Sequence, residues 1–509
     1  MSAPRSAGRR RSSPTWPRRI DAAGPTQQDR RRTERPRTTR TTANDPEGLI
    51  PTSPTFRALR NPNYRLYLAG SAVSNTGTWM QRVAQDWLVL QLPGNSGTEL
   101  GITTGLQFLP VLLLSPYAGV MADRFPKRHL LQVTQATMAL ASLVLGLIAV
   151  AGVAQTWHVY VIAFLFGVGS AFDAPTRQSF VSEMVGQDDL TNAVGLNSAS
   201  FNAARILGPA LAGLMIGALG GGVRATGWVI LVNALSYVAV IAQLQRMDAA
   251  LLQSPKRTSR SPGMLLEGVR YLRSQPKLVM ILVMVFFAGT FGMNFQITSA
   301  LMATTVFGKG AGEFGILGSA MAVGSLTGAL MAARRVRIRL RLLVVAAVGF
   351  GVAEMVAGLM PSYLAFMLIC PLIGFSTLTL LNSANATMQL ESDPALRGRV
   401  MALYMTIVMG GTPLGSPIIG WIGQHLGARW SLEIGGALTI VGVAVALVVL
   451  ARLRGGLGSV LHAPRAAGNL VPRVWDDQAV ARARKQSGGQ APGSGMTAPV
   501  GESLHGTTR

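Results

Sequence analysis

Cysteine is nearly absent: Cys370 is the single one in 509 residues, and it lies inside an apolar run. A disulfide framework needs pairs and a structural zinc needs clustered thiolates or imidazoles, so neither organises this chain. The five histidines are scattered and form no metal motif. Neither a metal nor a cofactor is expected. Charge is scarce too, at 13% of residues, and acid is the scarcer sign, with 22 Asp and Glu against 46 Lys and Arg. There is no G-x-x-x-x-G-K-[ST] loop to hold nucleotide phosphates and no soluble domain to carry one, which disfavours a primary pump, and no constellation of enzyme chemistry is apparent. The formal charge of +24 has the size of a nucleic-acid binder's. Its excess falls in the two ends and in alternate loops rather than along one groove or helix face, so no nucleic-acid partner is expected.

What the chain does have is apolar length. Hydrophobic residues make up 49% of it and the mean hydropathy is +0.35, a membrane composition. About 20 residues at 1.5 Å rise cross about 30 Å of hydrocarbon. Twelve segments meet that length, near 66–90, 100–122, 130–152, 158–176, 198–219, 226–245, 278–303, 313–333, 341–360, 363–386, 400–424 and 430–451. The fold class expected is therefore an all-α polytopic membrane protein of twelve transmembrane helices.

Orientation follows from the basic residues of the short loops, because positively charged loops stay in the cytoplasm. The second loop carries Arg124, Lys127 and Arg128. The sixth carries Arg246, Lys256, Arg257, Arg260, Arg270, Arg273 and Lys277. The eighth has Arg334, Arg335, Arg337, Arg339 and Arg341, and the tenth adds Arg397 and Arg399. The alternate set holds only Arg224, Lys309 and Arg429. The chain is thus expected in the cytoplasmic membrane with both termini in the cytoplasm.

Residues 1–55, with Arg9 to Arg11 and Arg30 to Arg32, lack apolar periodicity and read as a disordered basic tail, as does the polar stretch from 453 to 509. Such tails attract anionic headgroups by on the order of 1 kcal/mol per basic residue near the surface. The domain plan is then a bundle over 56–245, a linker over 246–277 and a second bundle over 278–452. Within the linker, Met264, Leu265, Val269 and Leu272 recur at helical spacing among Arg270, Arg273 and Lys277, which suits a short helix on the inner membrane surface. A solvated linker with one helical turn is the alternative.

An internal repeat supports the seam. Gly77 and Gly289, Gly101 and Gly315, Gly167 and Gly374, Gly208 and Gly415, Gly213 and Gly420, and Gly220 and Gly427 are related by offsets of 207 to 214. Duplicated halves are the usual architecture of secondary transporters, with the substrate site between them near the midplane.

The second loop carries the most specific motif. Gly119-Val-Met-Ala-Asp123-Arg124-Phe-Pro-Lys127-Arg128 resembles the G-x-x-x-D-R-x-x-[RK]-R signature of the major facilitator superfamily. Residues 75–90 and 109–128 look most like its drug, macrolide and enterobactin exporter branch. The resemblance spans about 65–452 and implies two pseudo-symmetric six-helix bundles with a cavity lined by spans 1, 4, 7 and 10. It also implies a cytoplasmic latch between halves. There Asp123 would face the positive N-terminal end of span 11 near Arg399, and Lys127 or Arg128 would reach Asp173 at the inner end of span 4. The eighth loop has no aspartate to match, so one latch is expected. If these charges only fix topology, the latch has no role.

A second resemblance lies in span 5, where Arg205-Ile-Leu-Gly208-Pro209-Ala-Leu-Ala-Gly213 is similar to the Gly-Pro motif of proton-coupled exporters. Pro209 removes a backbone bond and kinks the helix, while Gly208 and Gly213 allow close helix approach. A packing kink without directional meaning explains the same residues.

Ionisable groups inside spans come last, since they face cavities or partners. Asn75, Trp79, Arg82 and Asp86 share one face of span 1, and Arg82 can pair with Asp86 across a turn. Phe287, Phe291, Asn294 and Thr298 form the matching stripe of span 7, and span 10 adds Asn382 and Asn385. Aromatics, amides and one ion pair suit an amphipathic organic substrate. Proton coupling needs a carboxyl that can change charge, and Asp86 and Glu354 are the candidates. Asp86 can carry a proton only if it leaves Arg82, and Glu354 belongs to span 9, expected at the periphery. Taken together, the chain reads as a monomeric, lipid-embedded, proton-coupled exporter of amphipathic small molecules. An importer of a nutrient or siderophore on the same fold, and a non-transporting receptor or scaffold, are the alternatives.

Overall fold

The computed structural model describes residues 54–92, 96–253, 264–334 and 340–453. The basic runs Arg9 to Arg11 and Arg30 to Arg32, loop residues Lys256, Arg257, Arg260, Arg335, Arg337 and Arg339, and the stretch from 454 onward lie outside the described residues.

Every regular element described is helical. A 3-10 turn, Pro54–Arg60, leads into α1 (Pro62–Gln91), followed by α2 (Gly97–Arg124), α3 (Lys127–Ala151), α4 (Thr156–Met184), α5 (Gln187–Ala218) and α6 (Val223–Arg246). Their ends are set locally. The Asn61 side chain accepts from the Tyr64 amide at 3.0 Å with Pro62 at the first helical position, and Leu92, before Pro93, is extended. Ser96 caps α2 through the Glu99 amide, and Gly152 closes α3 at φ 76°, a conformation that favours glycine.

The second half begins with α7 (Met264–Arg273), a ten-residue helix docked on protein. Glu267 pairs with Arg399, and the Tyr271 hydroxyl accepts from the Asp393 amide at 3.0 Å. The seventh span then differs from the continuous helix the sequence suggests. It is α8 (Pro276–Phe287), a wide π turn (Ala288–Gly292), a break at Met293 and Asn294, α9 (Phe295–Leu301) and a second π turn (Met302–Val306). Gly289 and Gly292 hold this helix weakly. The Asn294 amide group donates to the Thr290 carbonyl at 2.8 Å, which covers backbone the break would leave bare. The remaining spans are α10 (Ala311–Ala333), α11 (Leu340–Gly358), α12 (Tyr363–Glu391), α13 (Arg397–His425) and α14 (Ala428–Leu453).

Among the described residues, eleven helices are long and apolar enough to cross a bilayer by length and composition alone. The twelfth is α1, whose 30 residues suffice in length but include Arg65, Gln81, Arg82, Gln85 and Asp86. It is shielded by α5 and α6. Lipid-facing helices show the reverse distribution. Val133, Leu235, Val345 and Leu368 are exposed, while Gln81, Gln135, Ser142 and Asn233 are buried inside the first bundle. Gln81 Oε1 there accepts from Ser142 and Asn233.

Two six-helix bundles result, with matching internal packing. In the first, α1 lies on α5 and α6, α2 on α4, and α3 on α4 and α6. In the second, the seventh span lies on α13 and α14, α10 on α12, and α11 on α12 and α14. The bundles meet along two seams, α2 against α13 and α5 against α10. The repeated glycines build these seams. A Cβ on Gly101 would fall 2.3 Å from the Ser416 carbonyl oxygen, and one on its repeat mate Gly315 would fall 2.2 Å from the Pro209 oxygen. Gly420 abuts Gly97 and Gly101, while its mate Gly213 abuts Ala311 and Gly312. These contacts sit toward the ends joined by the sparsely charged connections. At the basic-loop ends Gly195 of α5 and Gly398 of α13 have no atom near enough to meet a Cβ, and Val194, Phe201, Met405 and Met409 are exposed.

Candidate substrate cavity

Between the bundles lies a cavity of about 270 Å³. The first half contributes Trp79 and Val83 of α1, Thr104 and Phe108 of α2, and Arg205 and Pro209 of α5. The second half contributes the seventh-span break from Gly292 to Ile297, Phe314 and Met321 of α10, Phe350 of α11, and Thr377 and Leu381 of α12. Trp87 stacks on Phe314 across the halves with centroids 6.2 Å apart, and its indole N–H donates to the Gly221 carbonyl at 3.2 Å. The wall is mostly aromatic and aliphatic with a few polar groups, the usual make-up of a small-molecule site.

Of the residues the sequence singled out, Trp79, Arg205, Pro209 and Asn294 line this space. Arg82 lies just behind the wall, its guanidinium 4.7 Å from the Trp79 ring centroid and 5.5 Å from that of Phe108. Asp86, a turn further along, is buried at 5% exposure. No ion pair joins them, contrary to the expected one; the aromatic rings hold the guanidinium instead. Gly208 and Gly213 serve the seams and the α1 contact, where a Cβ on Gly208 would fall 2.5 Å from that of Trp79.

The expected seventh-span stripe does not form. Phe287 and Phe291, with rings 6.0 Å apart, precede the break: Phe287 meets Gly442 of α14, and the Phe291 carbonyl meets Gly435. Thr298 follows the break, is buried, and donates to the Phe295 carbonyl. The stripe assumed an uninterrupted helical phase, and the π turn and break change it. Asn75, Asn382 and Asn385 are half-buried outside the cavity wall, and Asn385 accepts from Gln389.

Glu354 lies on the span expected at the periphery, and α11 does expose Val345 and Val352. Yet Glu354 itself, at 1% exposure, points from α11 into the second bundle, where a Cβ on Gly292 would fall 2.9 Å from its Oε2 and 2.8 Å from Thr439 Oγ1. The carboxyl therefore abuts the seventh-span break, directly behind the cavity wall. Among the described residues that Oε2 has no hydrogen-bond partner.

The loop charges also pair differently from expectation. Asp173 binds Arg177 at 2.5 Å and accepts from Gln135 at 2.7 Å and Thr134 at 3.0 Å. Lys127 is buried against Glu183, and Arg128 donates to the Gln245 carbonyl at 2.7 Å. Arg177 and Glu183, one helical turn and more beyond Asp173 on α4, capture the partners the motif alone would have paired with each other. Gly119, Asp123 and Arg124 occupy the last turns of α2, with Asp123 and Arg124 exposed. Arg399, at the start of α13, pairs with Glu267 of α7.

Sequence reasoning missed Phe108, Phe314 and Phe350 as wall residues. Their apolar surroundings carry no signal that separates a wall from a core. The break itself was foreshadowed by Gly289, Gly292 and Asn294 within one apolar run.

Two like bundles, seams on the second and fifth helices of each half and their partners, and a central cavity define a major facilitator transporter, a multi-pass membrane protein and not an enzyme. The chain belongs to the transmembrane secretion effector family of that superfamily, whose model matches residues 53–471. It is similar to the multidrug efflux pump Tap of Mycolicibacterium fortuitum, 26% identical over 76% of this chain and 96% of that protein. It is similar also to the staphyloferrin A transporter of Staphylococcus aureus (24%, covering 74% and 93%) and macrolide efflux protein A of Streptococcus pyogenes (23%, covering 76% and 95%). Among solved structures, a bacterial homologue of the lysosomal transporter Spinster superposes with TM-score 0.60 at 15% identity over 79% of this chain and 98% of the other. A D-xylose–proton symporter does so with TM-score 0.60 at 12% identity over 75% and 96%. These two share the fold.

Proposed function

We propose that this protein is a proton-coupled exporter of amphipathic small molecules that works by alternating access in the cell membrane, as a monomer with both termini in the cytoplasm. The observation that carries the reading is the cavity between the halves. It is aromatic-walled, fed by a broken helix, sealed along two glycine seams at one end and loosely packed at the end bearing the basic loops. With those loops in the cytoplasm, this is an inward-facing state, ready to take substrate from the inner leaflet or cytosol. Two of the similar proteins are named for efflux, of drugs and of macrolides, which supports outward flux. Glu354 and Asp86 are the carboxyls proposed to carry a proton; both are buried, and Glu354 abuts Gly292 of the cavity wall. Asp123 and Arg124 act in this reading as part of a gate at the basic-loop end.

Everted vesicles containing the protein should accumulate an amphipathic dye when a proton gradient is imposed and release it when a protonophore is added. Accumulation that survives the protonophore and requires ATP would overturn the coupling, and flux only in the opposite direction would make the protein an importer.

A further inference from the structure

Arg205 is the cation of the cavity wall, and the way it is left unsatisfied identifies what the cavity takes. Among the described residues its Nε and Nη2 are buried and have no hydrogen-bond partner. These two nitrogens form one edge of the planar guanidinium, the edge that presents two parallel N–H donors to a carboxylate. A cation held in a membrane interior without a partner is costly, and such groups face a cavity or the ligand that completes them. Among the described residues no Asp or Glu lines the cavity. Asp86 lies a turn beyond Arg82 on α1, and Glu354 sits behind Gly292 and Phe350 on α11; neither is paired with Arg205.

We infer that the substrate carries a carboxylate, held bidentately by Nε and Nη2 of Arg205 once the side chain turns that buried edge into the cavity, with its apolar body against Trp79, Phe108 and Phe314. The inference rests on the reading of this cavity as the transport site. It narrows the substrate from amphipaths in general to amphipathic carboxylates, and it makes cationic and neutral amphipaths the poorer ligands. One turn away, Pro209 packs against Gly315 at the α5–α10 seam and Gly208 against Trp79 of α1, so the Arg205 backbone belongs to a tightly packed part of the wall. A lysine at this position would supply charge without the two-donor edge.

The test uses the full chain in phosphatidylcholine vesicles and two dyes of one body, a rhodamine carboxylate and its ethyl ester. The wild type is expected to bind the carboxylate about tenfold tighter than the ester or more, the effect of losing a charge-assisted bidentate contact. Arg205→Gln should erase the difference between the dyes, and Arg205→Lys should restore part of it. Equal binding of the two dyes by the wild type overturns the inference without reference to any variant. So does a carboxylate preference that persists in Arg205→Gln, or one that vanishes when phosphatidylglycerol is added, which would assign the fork to a lipid headgroup. The two readings fail separately. Gradient-driven flux of the ester with no preference for the carboxylate sinks this inference and leaves export standing, whereas carboxylate preference without gradient-driven flux does the opposite.

Discussion

Gly315 of α10 lies against the Pro209 carbonyl of α5 with room for a hydrogen and nothing larger, since a Cβ there would come within 2.2 Å of the oxygen. Its repeat mate Gly101 has the same relation to Ser416 on the other seam. Two equivalent zippers thus close one end of the cavity, and both must part if the transporter is to open that way. Overpacking such a contact costs about 1–3 kcal/mol, enough to shift a two-state equilibrium by roughly tenfold to a hundredfold. Gly315→Leu is therefore expected to favour the state in which this seam is open. A cysteine placed at Thr104 on a Cys370→Ala background should then react with an impermeant maleimide from the sparsely charged side, where the unmodified seam protects it. Unchanged protection would mean that the seam does not open in the cycle.

Lys127 and Glu183 form a buried pair at the basic-loop end, with side-chain exposures of 5% and 11%. Removing one partner leaves a buried charge uncompensated, at about 3–5 kcal/mol, while neutralising both is much milder. Lys127→Ala should lower the amount of membrane-inserted protein, and Lys127→Met with Glu183→Gln should restore it. Asp123→Asn, at an exposed position in the same motif, should leave the amount of protein unchanged and reduce transport strongly. Normal transport by Asp123→Asn would leave this loop with topology alone.

Much of this organisation was legible in the chain. Twelve apolar runs, glycines repeated at offsets of 207 to 214 and the Asp123–Arg128 motif pointed to the two-bundle fold, because length, hydropathy and close helix contact impose residue types directly. The partners of individual charges were not legible. Lys127 and Asp173 each have a nearer counter-ion on α4, Glu183 and Arg177, and which one wins depends on side-chain reach across two helices. The break at Met293 and Asn294 altered the phase of the seventh span, so Phe287 and Phe291 face α14 although their spacing matched a cavity stripe. The inward approach of Glu354 from a peripheral span was not legible for a related reason: the Gly292 it meets belongs to the π turn, which an α-helical count does not contain.

Glu354 gives a third prediction. A carboxyl against the break of a cavity-lining helix can link its protonation to the shape of that helix. Glu354→Gln, which keeps the volume and removes the titration, should abolish uphill dye efflux driven by a proton gradient while exchange of dye across the membrane at equal concentrations continues. Loss of both, with membrane-inserted protein falling in parallel, would make Glu354 a structural residue.

Arg82 and Asp86 share a helix face and sit one turn apart, yet the guanidinium is held by the rings of Trp79 and Phe108 rather than by the carboxylate. That arrangement changes what each single substitution should do. Asp86→Ala removes no ion pair, so protein should insert normally, and any loss of transport belongs to function. Arg82→Ala removes the cation packed on Trp79, a cavity-wall residue, and should weaken dye binding more than folding. A contact of this kind is worth about 2 kcal/mol or more when desolvated, roughly a thirtyfold change in affinity. If the two residues act in the cycle, Arg82→Ala together with Asp86→Ala should be present in the membrane and fail to transport. If instead they are a structural pair in some other state of the cycle, each single variant should lose protein and the double should recover both protein and flux. Membrane-inserted protein measured beside dye efflux for the two singles and the double separates these outcomes, and full transport by the double removes the pair from the mechanism.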